Sequence, residues 1–290
     1  MTSLRLPDGR VLEYLVAGPA DGTPLIFHHG TPCAAVLFDP MIEAAAHHGL
    51  RTVVYSRPGY AESSPRPGRT IASAADDVSA LLAELGADRF VTAGWSGGGP
   101  HALACAALLE GRCAAAATIA GVAPYAAEGL DWLDGMGAEN IEEFDAATAG
   151  VEQLTAYLSP QAAIYAQVQA EQVAAALGDL IAEADRRALN GSFAEYGATL
   201  FRKALSAGVE GWRDDDLAFI DDWGFALDDV KTSVSIWQGD QDRMVPFAHG
   251  RWLAGNVSGA TVHLQPGEGH LSLMVERFGD IVADLAAKLP

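Results

Sequence analysis

Residues 91–107 read VTAGWSGGGPHALACAA, with Ser96 set among Gly94, Gly97, Gly98 and Gly99. Glycine weakens both helices and strands, so four of them in a structured stretch require a local reason. The preceding run RFVTAGW has the apolar character of a buried strand, and GGPHALACAALLEG favours a helix. Gly94-Trp95-Ser96-Gly97-Gly98 is therefore G-x-S-x-G at a strand-to-helix turn. So sharp a turn strains the central residue and crowds the positions two before and two after it against neighbouring backbone, where only small residues fit. It raises the serine hydroxyl above the sheet edge at a helix N-terminus. The competing readings are a plain glycine-rich turn and a phosphate loop. The latter lacks both Gly-Lys-Ser/Thr and G-x-G-x-x-G.

Outward from this turn the chain alternates strands and helices. LRLPDGRVLEYLVAG reads as a hairpin turning at Pro7-Asp8-Gly9, LIFHH and RTVVYS as short strands, and TIASAADDVSALLAELG as an amphipathic helix ended by Gly86. AAAATIAG is the next strand. The rhythm stops near Pro124 and resumes after Val230 with TSVSIWQG, a helix, ATVHLQP and a closing helix. Residues 161–189 form a long helix-favouring run, interrupted near Gly178. The pattern predicts an α/β protein with a mainly parallel sheet flanked by helices. Its core is residues 1–123 and 231–290, with a helical unit at 124–230 inserted between. Charge divides the chain the same way: residues 125–230 hold 21 Asp/Glu against 5 Lys/Arg, and the rest 17 against 13.

A serine needs a base, and the base needs an orienting group. His270 lies in QPGEGH, between the last strand and the last helix, at the same sheet end as Ser96. The other histidines read differently: His263 as a packing residue in a strand, His101 as pointing away, His47, His48 and His249 as surface residues, and His28 and His29 as braces at a strand end. The loop WQGDQDRMVP supplies Asp240, placed to brace its turn, and Asp242, set deeper as the acid. The order Ser96, Asp242, His270 puts each group after a different strand at the carboxyl edge, where open α/β sheets build sites. The backbone N–H groups of Gly97 and of Thr31, in His29-Gly30-Thr31-Pro32, are the candidate oxyanion donors.

A net charge of −20 argues against a nucleic-acid partner. No apolar run is long enough to span a membrane, and the N-terminus has no signal core. Three cysteines, Cys33, Cys105 and Cys113, make no disulfide framework or metal spacing. The expectation is a cytoplasmic monomer or homodimer acting on a small molecule, with neither metal nor cofactor.

His-Gly-x-Pro, Ser-Arg-Pro-Gly-Tyr (56–60), Gly-x-Ser-x-Gly, the Gly-Asp-x-Asp loop and Gly-His stand in the order and spacing of the α/β-hydrolase superfamily, which the chain resembles over nearly its whole length. The resemblance implies the triad and oxyanion roles above and a helical cap over 124–230. Within that superfamily the chain most resembles the branch of serine esterases and proline iminopeptidase-like enzymes. Many relatives carry Asp where this chain has Ser56, a position that usually braces a loop. A serine nucleophile implies acyl transfer, and the leading expectation is hydrolysis of a carboxylic ester of small or medium apolar substrates through acyl-Ser96. The alternatives are an aminopeptidase that holds a substrate amine with cap carboxylates, and a non-catalytic ligand receptor on the same scaffold. Trp132, Phe144, Tyr157, Phe193, Phe201, Trp212 and Trp223 are candidate pocket residues, most of them expected to pack the insertion's own core. Trp95 is expected to be core, and Asp214-Asp215-Asp216 a solvated helix face.

Overall fold

A computed structural model describes residues 2–289. Its centre is one eight-stranded sheet in the order β1-β2-β4-β3-β5-β6-β7-β8. The strands are β1 (Thr2–Arg5), β2 (Val11–Ala17), β3 (Thr23–His28), β4 (Leu50–Tyr55), β5 (Phe90–Trp95), β6 (Cys113–Ile119), β7 (Ser233–Gly239) and β8 (Thr261–Gln265). The hairpin β1–β2 is antiparallel, and β2 joins β4 antiparallel. From β4 to β8 every pair is parallel. Parallel neighbours require crossover connections, and helices supply them. These are α1 (Asp39–His47), α2 (Ser73–Glu84), α3 (Gly98–Leu108), α10 (Phe247–Asn256) and α11 (His270–Ala286). The central strand β5 is buried at all six positions, as a strand covered on both faces must be.

The stretch between β6 and β7 carries six helices and no strand: α4 (Ala138–Ala149), α5 (Val151–Tyr165), α6 (Val173–Ala176), α7 (Glu183–Ala188), α8 (Gly191–Ala204) and α9 (Glu210–Ile220). The helix-favouring run at 161–189 is broken more often than its propensity predicts. α5 stops at Tyr165, and single 3-10 turns occupy Ala170–Gln172 and Gly178–Leu180. Val168, Val173, Leu177, Leu180 and Ile181 are all buried. Val173, Leu177, Leu180 and Ile181 could share one helical face, but Val168 would point to the opposite side, so a straight helix cannot bury the whole set and packing overrides propensity. Among the described residues, no helix is long and apolar enough to cross a membrane.

Candidate active site

The turn after β5 is built by exclusion. A Cβ on Gly94 would collide with the backbone of Gly98, and one on Gly98 with the carbonyls of His28 and His29 at the end of β3. With both positions bare, Ser96 is held at φ 56°, a left-handed conformation costly for a residue with a Cβ. Its N–H donates to Ile119 O (2.8 Å) and its carbonyl accepts from Gly99 N–H (2.9 Å), which locks the turn. Ser96 is half-buried, and α3 begins two residues on.

His270 is the first residue of α11 and is buried. Its Nδ1–H donates to Asp242 Oδ2 at 2.8 Å. The Asp242 carboxylate also accepts from Gln238 Nε2 (3.0 Å) and from the backbone N–H groups of Met244 and Val245 (2.9 Å each). Four donors fix it against rotation. Burial pushes the His270 pKa down, but the charge and hydrogen bond of Asp242, with a contribution from Asp185, outweigh it and raise the pKa above its ordinary value of 6.5. Trp95 holds the other side of the residue, with Nε1–H donating to the His270 carbonyl (3.2 Å) and its ring tilted against the imidazole. Asp240 accepts the Gly267 N–H (2.8 Å) and so ties its loop to the one preceding His270.

Ser96, His270, Gly30, Thr31 and Gly97 line one cavity of about 320 Å³. A Cβ on Gly97 would stand 2.6 Å from Thr31 Oγ1 and from Phe219, so the two loops that carry the Thr31 and Gly97 N–H groups meet there. Behind them lies a buried ionic knot. Asp215, on α9, accepts from Arg57, Arg69 (2.7 Å), Tyr60 (2.8 Å) and Thr31 Oγ1 (2.7 Å). Arg57 in turn donates to the carbonyls of His29 and Gly30. Burial opposes the Asp215 charge, yet the two guanidiniums hold its pKa below the ordinary carboxylate value.

Several sequence expectations need correction. Asp214, Asp215 and Asp216 are buried, not a solvated face, because α9 packs between α4–α5 and the loops that carry Thr31, Arg57 and Tyr60. His249 is buried, and its pKa is lowered to about 4 by burial. Nδ1 accepts from Ala123 N–H (3.1 Å) and Nε2–H donates to Trp132 O (2.8 Å), which fastens the start of the insertion. His101 turns inward rather than away, bonded to Gly97 O (2.8 Å) and stacked near His28. Of the seven aromatic candidates, Phe144, Tyr157, Phe201 and Trp212 line the cavity, and so does Trp95. All five also belong to or pack against the hydrophobic core, as expected, so they are cavity wall and core at once. Ser56 does brace a loop: its hydroxyl donates to Glu13 (2.8 Å) and accepts from Ala35 N–H (2.9 Å). Glu13 thus brings a carboxylate to the Ser56 hydroxyl.

Sequence reading missed the polar wall of the cavity. Glu139, Glu143 and Asp216 line it, together with Asn140, Gln161 and Tyr165. Burial drives the Glu143 pKa up to about 7 and raises that of Asp216, and the two carboxyls face each other. Both can be accommodated when one proton is shared between them.

The alpha/beta hydrolase fold model matches residues 23–277. The chain belongs to the alpha/beta hydrolase family. A non-heme chloroperoxidase of Streptomyces lividans is 34% identical over 151 residues, which span 51% of this chain and only about half (55%) of that protein. A bifunctional esterase/perhydrolase of Acinetobacter calcoaceticus is 26% identical over 83% of this chain and 82% of its own. Among solved structures, the enol-lactonase of Burkholderia xenovorans LB400 superposes with a TM-score of 0.71 at 19% identity, covering 99% of this chain and 100% of that one. At that identity the likeness carries the fold alone.

Proposed function

We propose that this alpha/beta hydrolase cleaves a small carboxylic ester through an acyl-enzyme on Ser96. The observation that carries the reading is the strained Ser96, opening into the same cavity as the buried His270, whose far side is bonded to Asp242. In this reading His270 Nε2 takes the Ser96 proton as Oγ attacks the ester carbonyl. Asp242 steadies the imidazolium, and the N–H groups of Thr31 and Gly97 receive the oxyanion. His270 then protonates the departing alcohol, and water, deprotonated by His270, releases the acid. Residues 124–230 serve as a cap that roofs the cavity, whose volume suits a small ligand. The name of the Acinetobacter relative suggests that hydrogen peroxide can also open the acyl-enzyme, giving a peracid. The test is hydrolysis of p-nitrophenyl esters from acetate to decanoate, beside Ser96→Ala. Turnover that vanishes in the variant supports the acyl-enzyme. Equal turnover in both sinks it.

Glu139, Glu143 and Asp216 favour one second reading, an aminopeptidase-like preference for substrates with a protonated amine. Among the described residues, no Lys or Arg lines the cavity to offset them. An ammonium group can replace the proton shared by Glu143 and Asp216. Aminoacyl p-nitroanilides turned over faster than p-nitrophenyl esters would favour this reading. In it, Glu143→Gln raises KM about tenfold or more for amine-bearing substrates, the loss expected of a buried charge-assisted bond, and leaves neutral esters nearly unchanged.

A further inference from the structure

Helix α11 begins with His270, and the residue before it, Gly269, has no side chain with which to cap it. An N-terminal cap normally accepts the N–H groups of the second and third helical residues, here Leu271 and Ser272. Both donate instead to Oδ1 of Asp185, at 2.7 and 3.0 Å. Asp185 belongs to α7, in the inserted segment, and is fully buried. Its Oδ2 accepts the Ala182 N–H (3.2 Å) at the start of α7, so the carboxylate cannot swing away without losing bonds in both helices. The helix that presents His270 therefore borrows its cap from a segment about 85 residues earlier.

This arrangement gives the Gly-His pair its physical reason. A Cβ on Gly269 would collide with both oxygens of Asp185, so the position must stay bare for the carboxylate to reach the helix end. The Gly269 N–H is held by Ser272 Oγ (2.8 Å), whose hydroxyl donates to Glu268 (2.7 Å). Arg277 pairs with Glu268 on the outer side (3.6 Å). The charged groups acting on His270 are thus Asp242 from the loop after β7 and Asp185 from α7, with the Glu268–Arg277 pair behind Ser272.

We propose that Asp185 is a positioning residue for His270: from the cap, its carboxylate fixes the first turn of α11 and so aims the imidazole between Asp242 and Ser96. The proposal rests on the Ser96 reading for its consequence in catalysis, but not for its geometry. It makes the cap part of the machinery rather than only a roof. A negative charge at the start of a helix dipole is favourable in itself, and here it also lies near the imidazolium that forms during proton transfer.

Two variants separate charge from geometry. Asp185→Asn keeps an acceptor at Oδ1 for Leu271 and Ser272, removes the charge and gives up only the Ala182 bond at Oδ2. Asp185→Ala removes both. His270 is followed by NMR titration of labelled histidine, its resonance assigned by loss in His270→Ala, so this readout needs no substrate. In Asp185→Asn the His270 midpoint is expected to move to lower pH, because a charge that favours the imidazolium is gone. In Asp185→Ala, kcat on the best ester is expected to fall tenfold to about a hundredfold with KM within about twofold, as for a misaimed base in an intact pocket. If Asp185→Ala does not fold, the Asn titration alone decides. An unmoved His270 midpoint in Asp185→Asn overturns the proposal, as does a folded Asp185→Ala with kcat within twofold of wild type. A shifted midpoint in a protein that hydrolyses no ester leaves the positioning role standing and removes the Ser96 reading.

Discussion

Replacing Asp215 by Asn tests whether the insertion is locked to the sheet through one carboxylate. Asp215 neutralises two buried guanidiniums, Arg57 and Arg69, which are 3% and 6% exposed. It also accepts the hydroxyls of Tyr60 and Thr31. Asparagine keeps the shape and removes the charge, leaving both arginines buried without a counter-ion. Breaking a buried ion pair from one side costs about 3–5 kcal/mol. At about 2–4 °C per kcal/mol for a chain of this size, the melting temperature should fall by on the order of 10 °C. The pH dependence has a definite sign. The folded pKa of Asp215 is depressed below its ordinary 3.8, so its stabilisation is fully present above that value and is lost as pH falls below it. The gap in melting temperature between wild type and Asp215→Asn should stay constant from neutral pH down to about 5 and narrow in more acidic buffer. Scanning calorimetry across that range measures it. A variant melting within about 2 °C of wild type at neutral pH, well inside the shift worked above, would refute the account, as would a gap that widens with acid.

Ser96→Gly should abolish ester turnover and raise the melting temperature, since glycine relieves roughly 1 kcal/mol of strain at φ 56°. A calorimetric trace with no gain would show that the turn holds no strain. The acid limb of kcat/KM should reach half its plateau above pH 6.5, because His270 must be neutral to act as base and its pKa is raised. A pH–rate profile with its midpoint below 6.5 would contradict the His270–Asp242 coupling.

Much of the architecture was legible because it rests on local rules. The glycines around Ser96, the turn residues Pro7-Asp8-Gly9 and the period of α2 each constrain backbone directly, and strand–helix alternation then leaves few topologies. Ser96, Asp242 and His270 could be singled out because each follows its own parallel strand at one sheet edge. The cavity was less legible. Its walls come from α4, α5, α8 and α9, and the angles between these helices depend on packing that no local pattern encodes. Glu143 and Asp216 are 73 residues apart, and nothing in either neighbourhood announces the other. The same holds for Asp185, whose helix of six residues resembles an exposed charged turn until the missing cap of α11 is considered.

The acidic run on α9 did carry a readable signal. Successive helical residues are rotated by about 100°, so three consecutive aspartates cannot share one solvent face. Trp212, Asp215, Asp216 and Phe219 fall at i, i+3, i+4 and i+7, the spacing of a buried stripe. Two carboxylates therefore sit where the pattern calls for apolar side chains. A helix tolerates this only if each has a compensating partner, since an unpaired buried charge costs more than a helix of this length can recover. The two aspartates meet that demand differently. Asp215 is neutralised by Arg57 and Arg69 and holds the loop that carries Thr31. Asp216 faces the cavity beside Glu143 and makes no ion pair among the described residues, with Arg69, already paired to Asp215, acting on its charge from farther off. The first is complete without a ligand, and its role is structural. The second is satisfied only by a proton or an incoming positive charge, which makes it the point where the choice of substrate is most open to test.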